Sequence, residues 1–257
     1  MARILVTGSA DGLGLMTGQM LVARGHDVVL HARDERRAGD IGSAAPDVAG
    51  VVVGDVATIA GMSDVATQAN DLGRFDAVVH NVAIGYQEPE RVETEDGLSR
   101  VWAVNVLAPY VLTVLMQRPD RLVYLSSAMH LGGDPSLLDV QWTTRRWNGS
   151  GAYADSKLQD VMLALAVARR WAEVASNAVN PGWVPTRMGG ASAPDDLKEG
   201  NETQAWLAEG GDAEARRSGR YLYHRRPADL HPMAVDPDLQ DALLDLCHKA
   251  SGVALPA

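Results

Sequence analysis

Cysteine, phenylalanine and positive charge are all scarce in this chain. Among 257 residues Cys247 stands alone, so no intrachain disulfide and no cysteine-based metal site can form. Lys and Arg number 23 against 33 Asp and Glu, a net charge of −10 with a pI near 5.1. That balance excludes a generally basic nucleic-acid-binding surface, while leaving room for a local basic pocket. Long apolar runs are missing too. The longest, Val161 to Ala168, has eight residues, where a membrane span needs about 20. Met1-Ala2-Arg3 leads straight into Ile4-Leu5-Val6 without a signal-peptide core. A soluble, cytoplasmic protein with no membrane partner is expected. What is present, 46% apolar and 22% charged residues, suffices for a globular core.

Short β-branched runs alternate with helical patterns. Strands are expected at Arg3–Val6, Asp27–His31, Gly50–Val53, Asp76–His80, Arg121–Ser126, Ala175–Val179 and Gly219–His224. Helices are expected at about Leu13–Arg24, Ile59–Leu72, Gly97–Met116, Gly151–Trp171, Asn201–Glu209 and Pro237–Ala250. Strands that are apolar without alternation suit a sheet covered on both faces, and this order points to a parallel, doubly wound α/β sheet of about seven strands. One domain over residues 1–257 is the simplest reading. Two looser stretches, His130–Ser150 and Pro185–Gly200 (the second continuing to about residue 205), follow strands at their carboxyl ends, where ligands bind in such sheets.

The first strand runs into Thr7-Gly8-Ser9-Ala10-Asp11-Gly12-Leu13-Gly14. Three glycines between a strand and a helix let the backbone approach a pyrophosphate, which the N–H groups of the helix start then hold. The spacing Thr7-Gly8-x-x-x-Gly12-x-Gly14 resembles the short-chain dehydrogenase/reductase family, and further landmarks follow in order. Gly54-Asp55-Val56 closes the third strand, where the resemblance implies that Asp55 and Val56 meet the adenine. His80-Asn81-Val82-Ala83 matches the family's Asn-Asn-Ala-Gly in position but keeps only Asn81, with Ala83 in place of glycine. Pro181-Gly182-Trp183-Val184-Pro185-Thr186 matches a Pro-Gly segment whose Val184 and Thr186 positions contact the nicotinamide end. A Rossmann-type dinucleotide fold is implied from Arg3 to about Thr186.

At the end of strand two, NAD enzymes carry an acid that accepts hydrogen bonds from the ribose. Here Ala32 and Arg33 stand there instead. A guanidinium offers a 2′-phosphate a charge-assisted contact, so NADP(H) is favoured over NAD.

Tyr153-Ala154-Asp155-Ser156-Lys157 places Tyr and Lys one helical turn apart, where an ammonium should pull the phenol pKa down. The resemblance makes Tyr153 the general acid/base and gives Lys157 a place on the ribose. It makes Ser127 the hydrogen-bond partner of the substrate carbonyl and Asn105 the support of a proton-relay water. Ser127 to Tyr153 is a step of 26 residues, longer than the usual dozen, which resembles the retinol-dehydrogenase-like and protochlorophyllide-reductase-like branch.

The expected activity is hydride transfer between NADP(H) and a small-molecule ketone or secondary alcohol. A non-catalytic NADP sensor or scaffold, or an enzyme reducing an activated C=C bond, is the alternative. Trp142, Trp147, Trp183, Trp206, Tyr86 and Met188 in or beside the loops suggest a bulky apolar or aromatic substrate, with Trp206 behind a lid at 185–205. The seven histidines show no metal-ligand spacing; His130 reads as a loop residue and His224-Arg225-Arg226 as an exposed turn. Family members often dimerise through the helix carrying Tyr153, so a homo-oligomer is one expectation.

Overall fold

The computed structural model describes residues 1–256. Its order is β1 (Arg3–Val6), α1 (Gly12–Ala23), β2 (Asp27–Ala32), α2 (Glu35–Ala44), β3 (Gly50–Val53), α3 (Ile59–Asp71) and β4 (Ala77–His80). A broken helix follows, made of α4 (Arg100–Trp102), a π-helical turn (Ala103–Leu107) and α5 (Ala108–Leu115). Then come β5 (Arg121–Leu125), α6 (Gly149–Arg170), β6 (Ala175–Asn180), α7 (Leu197–Glu209), β7 (Arg220–Tyr223), β8 (Arg226–Pro227) and α8 (Pro237–Ser251). The sheet order is β3-β2-β1-β4-β5-β6-β7-β8, parallel except for β8. Strand order reverses between β1 and β4, which opens a crevice at their carboxyl ends.

The apolar strands work on both faces because successive side chains point opposite ways. Ile4, Val6, Leu30, Val79 and Val123 pack against α1, α2 and α7. Leu5, Val29, Val78, Leu122 and Tyr124 pack against α3, α5, α6 and α8.

Seven strands lie within a residue or so of expectation, and β8 makes an eighth. It forms because His224 and Arg225 both take positive φ, 48° and 61°, the backbone of a two-residue hairpin turn. His224-Arg225-Arg226 is thus a hairpin tip and its first pairing residue. Helix α2 is not among the expected elements; its one buried residue is Ile41, and Asp34 starts it by accepting from Arg37 N–H at 2.9 Å. The helix expected from Gly97 begins only at Arg100 and widens at Ala103–Leu107. Pro109 has no N–H to return to the Asn105 carbonyl, which accounts for the break there.

Helix α6 is buried without interruption from Ala152 to Val167. The sheet covers one side and α8, with the turns at Ala128–Gly132 and Pro232–Val235, covers the rest. The chain end closes the same face: Tyr110 Oη donates to Val253 O at 2.7 Å and Trp171 Nε1 to Pro256 O at 2.9 Å. Within this one chain, α6 is therefore covered from Ala152 to Val167. No helix among the described residues is long and apolar enough to cross a membrane.

Trp206 does not face a ligand loop. It is buried in the core under α7, and its Nε1 donates to Asp212 at 2.8 Å. Trp206→Ala should cost about 3 kcal/mol of stability, lowering the melting temperature by roughly 8 °C. Differential scanning calorimetry checks this; a change under about 1 kcal/mol would contradict the anchoring role.

Candidate active site

The glycine turn closes so tightly that side chains are excluded. A Cβ on Gly8 would lie 2.6 Å from Val82 Cα, and one on Gly14 would meet Asn81 Nδ2 at 2.4 Å and Gly8 O at 2.6 Å. Gly8 also has φ +60°. Asn81 Nδ2 donates to Thr7 O and Gly8 O at 2.9 Å each, tying the end of β4 to the turn. At the start of α1, Asp11 occupies the cap position but makes no cap hydrogen bond. Its carboxylate is drawn away to Arg37 at 2.6 Å, which leaves the first-turn N–H groups around Gly12, Leu13 and Gly14 for an anion. A cradle without Cβ atoms beside an uncapped helix start fits a dinucleotide pyrophosphate. Ser9 contributes differently from expectation. Its hydroxyl donates to Val6 O and accepts from His31 N–H, both at 2.8 Å, so that side chain braces the strands.

Around this cradle lie the other expected nucleotide contacts. Ala32 is buried at the end of β2 and Arg33 is largely exposed beside it, its Nε on Asp34 at 3.1 Å. Asp55 Oδ1 accepts from Ala57 N–H at 3.0 Å within its own turn, and Val56 is buried. Ala83 is half-buried between Val82, which touches the glycine turn, and Ile84, which Asn105 holds. After β6, Pro181, Gly182, Val184 and Thr186 fold back over α1. A Cβ on Gly200 would meet Val184 Cγ1 at 2.7 Å and Leu13 Cδ2 at 3.5 Å, and one on Gly12 would meet Thr186 Cγ2 at 3.9 Å.

The expected acid–base residues lie on α6 and at the end of β5. Ser126 Oγ donates to Lys157 O at 2.7 Å, fixing helix to strand, and Ser127 Oγ accepts from Met129 N–H at 3.2 Å. Lys157 Nζ lies 5.6 Å from the Tyr153 ring centre, and the Tyr86 ring stands edge-on to Tyr153 at 5.8 Å. Burial pushes the Tyr153 phenol above its ordinary pKa; Lys157 and a hydrogen bond with Ser127 pull it down, and the Asp160 charge adds to the rise. The lowering expected from Lys157 is present but outweighed, because a phenolate in this buried site loses hydration.

Asn105 is satisfied on every side. Its Oδ1 accepts from Ile84 N–H at 2.7 Å, and its Nδ2 donates to Ile84 O and to Ser156 Oγ, each at 3.0 Å. It clamps the loop after β4 to α6, a role the water-relay expectation does not use.

The insertion 130–150 is a braced frame. Asp139 accepts from Thr143, Thr144 and Arg145, and Trp142 Nε1 donates to Asp155 at 3.1 Å beneath the Arg145 guanidinium. Trp147 Nε1 donates to Glu88 O at 3.0 Å. These tryptophans anchor the frame, so the expected aromatic cluster shrinks at the site to Tyr86, Met188 against Gly85, and exposed Trp183. His130 donates from Nδ1 to Ser127 O at 2.7 Å and accepts from His231 N–H at 3.1 Å, holding the strand-five loop.

Three participants escape a motif reading. Arg37 draws Asp11 away from the cap. Asp160 pairs with Lys157 at 2.7 Å. His31 accepts from Gly8 N–H at 2.9 Å through Nδ1 and donates from Nε2 to Gly54 O at 2.9 Å, so it bridges the glycine turn and the end of β3. An odd polar residue inside an apolar strand was the only sequence signal for it.

This fold and site define a nucleotide-binding oxidoreductase. A family model described as enoyl-(acyl carrier protein) reductase matches residues 8–218. An uncharacterized oxidoreductase of Emericella nidulans is 42% identical over 260 residues, 100% of this chain and 99% of that one. A human retinol dehydrogenase is 30% identical over 72% of this chain and 60% of its own length. Among solved structures, an uncharacterized protein from Mycobacterium paratuberculosis superposes with TM-score 0.84 at 23% identity, covering 100% of this chain and 96% of that one. A short-chain dehydrogenase/reductase from Burkholderia multivorans with bound NADP gives TM-score 0.66 at 23% identity, covering 90% and 99%. The chain belongs to the short-chain dehydrogenase/reductase family of oxidoreductases, on the branch whose relatives include retinol dehydrogenases.

His31 and His80 are buried, and burial holds both imidazoles below their ordinary pKa, His80 down to about 3. A depressed histidine contributes stability above its unfolded pKa near 6.5 that is lost as pH falls. Asp160, pushed up to about 6 by burial, opposes this only below that pH. Unfolding free energy should therefore drop between pH 6.5 and 5 by at most about 1.4 kcal/mol per unit for each histidine, and His80→Asn should flatten the slope. Urea titrations at stepped pH measure it.

Proposed function

We propose that the chain is an NADP(H)-dependent carbonyl reductase or alcohol dehydrogenase. The observation that carries this reading is the gathering of Tyr153, Lys157 and Ser127 at the carboxyl edge of the sheet that also holds the glycine cradle. Bound there, the nicotinamide supplies or accepts a hydride. Tyr153 gives its phenolic proton to the carbonyl oxygen as the alcohol forms, and takes it back in oxidation. Ser127 hydrogen-bonds the same oxygen and fixes it against the phenol. Lys157 presents positive charge that favours the phenolate, and Asn105 holds the Ile84 loop and Ser156 so that Tyr153 stays in place. Arg33 beside Ala32 would take the 2′-phosphate, and the NADP carried by a structural neighbour is in keeping with that choice.

The frame at 130–150 and the segment at 185–205 would bound the substrate, with Tyr86, Met188 and Trp183 offering apolar surface to a bulky or aromatic carbonyl compound. One relative is named for retinol, itself a bulky apolar alcohol. The description of the matching family model favours a second reading, reduction of an activated C=C bond. NADPH consumption with paired ketone and enone substrates, with product analysis, separates the two.

Tyr153→Phe should lower kcat by about 100-fold or more while NADPH still binds; near-normal turnover in a folded variant would refute the mechanism. Ala32→Asp with Arg33→Ala should shift the ratio of kcat/KM values from NADPH toward NADH by about 10-fold or more. Steady-state kinetics with both cofactors measures it, and an unchanged ratio would place the 2′-phosphate elsewhere.

A further inference from the structure

The ammonium of Lys157 is held from behind. Its Nζ donates to Leu125 O at 2.8 Å and to Asp160 Oδ2 at 2.7 Å, and both charged side chains are only 3% exposed. Asp160 lies one turn further along α6, and its other oxygen, Oδ1, is buried without a partner. A buried carboxylate with one oxygen unbonded is costly unless its charge is useful or compensated. Among the described residues, the only cation it touches is Lys157.

The surroundings offer no second counter-charge. On its own helix Asp160 faces Lys157 and Tyr153; from β5 it faces Tyr124, and from α8 it faces Cys247. Tyr124 and Cys247 are neutral, since burial raises both, and behind Tyr124 Oη lie Thr113 Oγ1 at 2.7 Å and then His80 Nε2 at 3.0 Å from that hydroxyl. His80 is neutral as well. The local charges that Tyr153 feels are therefore the Lys157 ammonium and the Asp160 carboxylate, acting in opposite senses.

We propose that Asp160 is a positioning residue for the acid–base step: its carboxylate anchors the Lys157 ammonium and offsets the charge that Lys157 presents to Tyr153. The inference rests on the reading of Tyr153 as acid/base. With Asp160 ionised, the phenol stays protonated to higher pH, so the acid form that donation to a carbonyl oxygen requires is the populated one. Removing the Asp160 charge would leave Lys157 acting on the phenol unopposed, so that phenolate forms at lower pH. Asp160 thus sets, from outside the reacting atoms, the pH at which Tyr153 passes from acid to base.

Asp160→Asn keeps the size and one hydrogen bond to Lys157 while removing the charge; Asp160→Glu keeps the charge. Ultraviolet difference titration of the ligand-free protein, with Tyr153→Phe subtracted, reads the Tyr153 ionisation directly. In Asp160→Asn it should begin about one pH unit lower than in the wild type, with Asp160→Glu close to wild type. The rising limb of kcat/KM for alcohol oxidation, where the phenol becomes the phenolate base, should move the same way. An unmoved titration in folded Asp160→Asn overturns the inference, whatever happens to kcat. A moved titration without any carbonyl or alcohol turnover would support the charge coupling and count against the proposed function instead. Should Asp160→Asn not fold, Asp160→Ser takes its place with the same expected shift, and an unmoved titration there is equally fatal.

Discussion

All the long strands of this sheet run one way and stop at one edge, and there their last backbone groups lose their ladder partners. Such groups are costly to bury unbonded. This chain satisfies them with side chains, and the bonds that do so also shape the site. Asn81 bonds Thr7 O and Gly8 O, His31 bonds Gly8 N–H and Gly54 O, and Lys157 bonds Leu125 O. Asn105 does the same for both backbone groups of Ile84. The glycine cradle and the proposed acid–base centre are two parts of one edge repair.

The reactive groups are placed by burial as much as by contact. Helix α6 lies between the sheet and α8, so Tyr153, Lys157 and Asp160 sit where water cannot dilute their charges. Removed from water, the phenol rises in pKa, and what lowers it again is the Lys157 charge and the hydrogen bond with Ser127. That makes the sign and position of each neighbour decisive. An exposed Tyr and Lys at the same spacing would influence each other weakly.

Beyond the centre, the chain spends its aromatic residues on rigidity. Trp142 and Trp147 lock the insertion after β5, Trp171 receives the chain end, and Trp206 roots α7 in the core. A rigid frame is what lets side chains on separate strands hold a common geometry.

Period and punctuation in the sequence determined the strand–helix alternation, the glycine turn and the Tyr153/Lys157 pair, because each depends on residues close together along the chain. The parallel, doubly wound character followed from the same alternation, since parallel strands need helical crossovers; the strand order itself came from the fold. Contacts between distant residues were decided only in the folded protein. The sequence shows Trp206 near a loop, but packing turns it into the core; it shows Asn105 in an apolar helix, but only the fold brings Ile84 and Ser156 to both ends of its amide. His31 has no motif, and its role exists because β2 places it between Gly8 and Gly54. The net effect on Tyr153 could not be read from a four-residue spacing either. It is the balance of desolvation, Lys157 and Asp160, and the desolvation is set by how α6 is covered on every side.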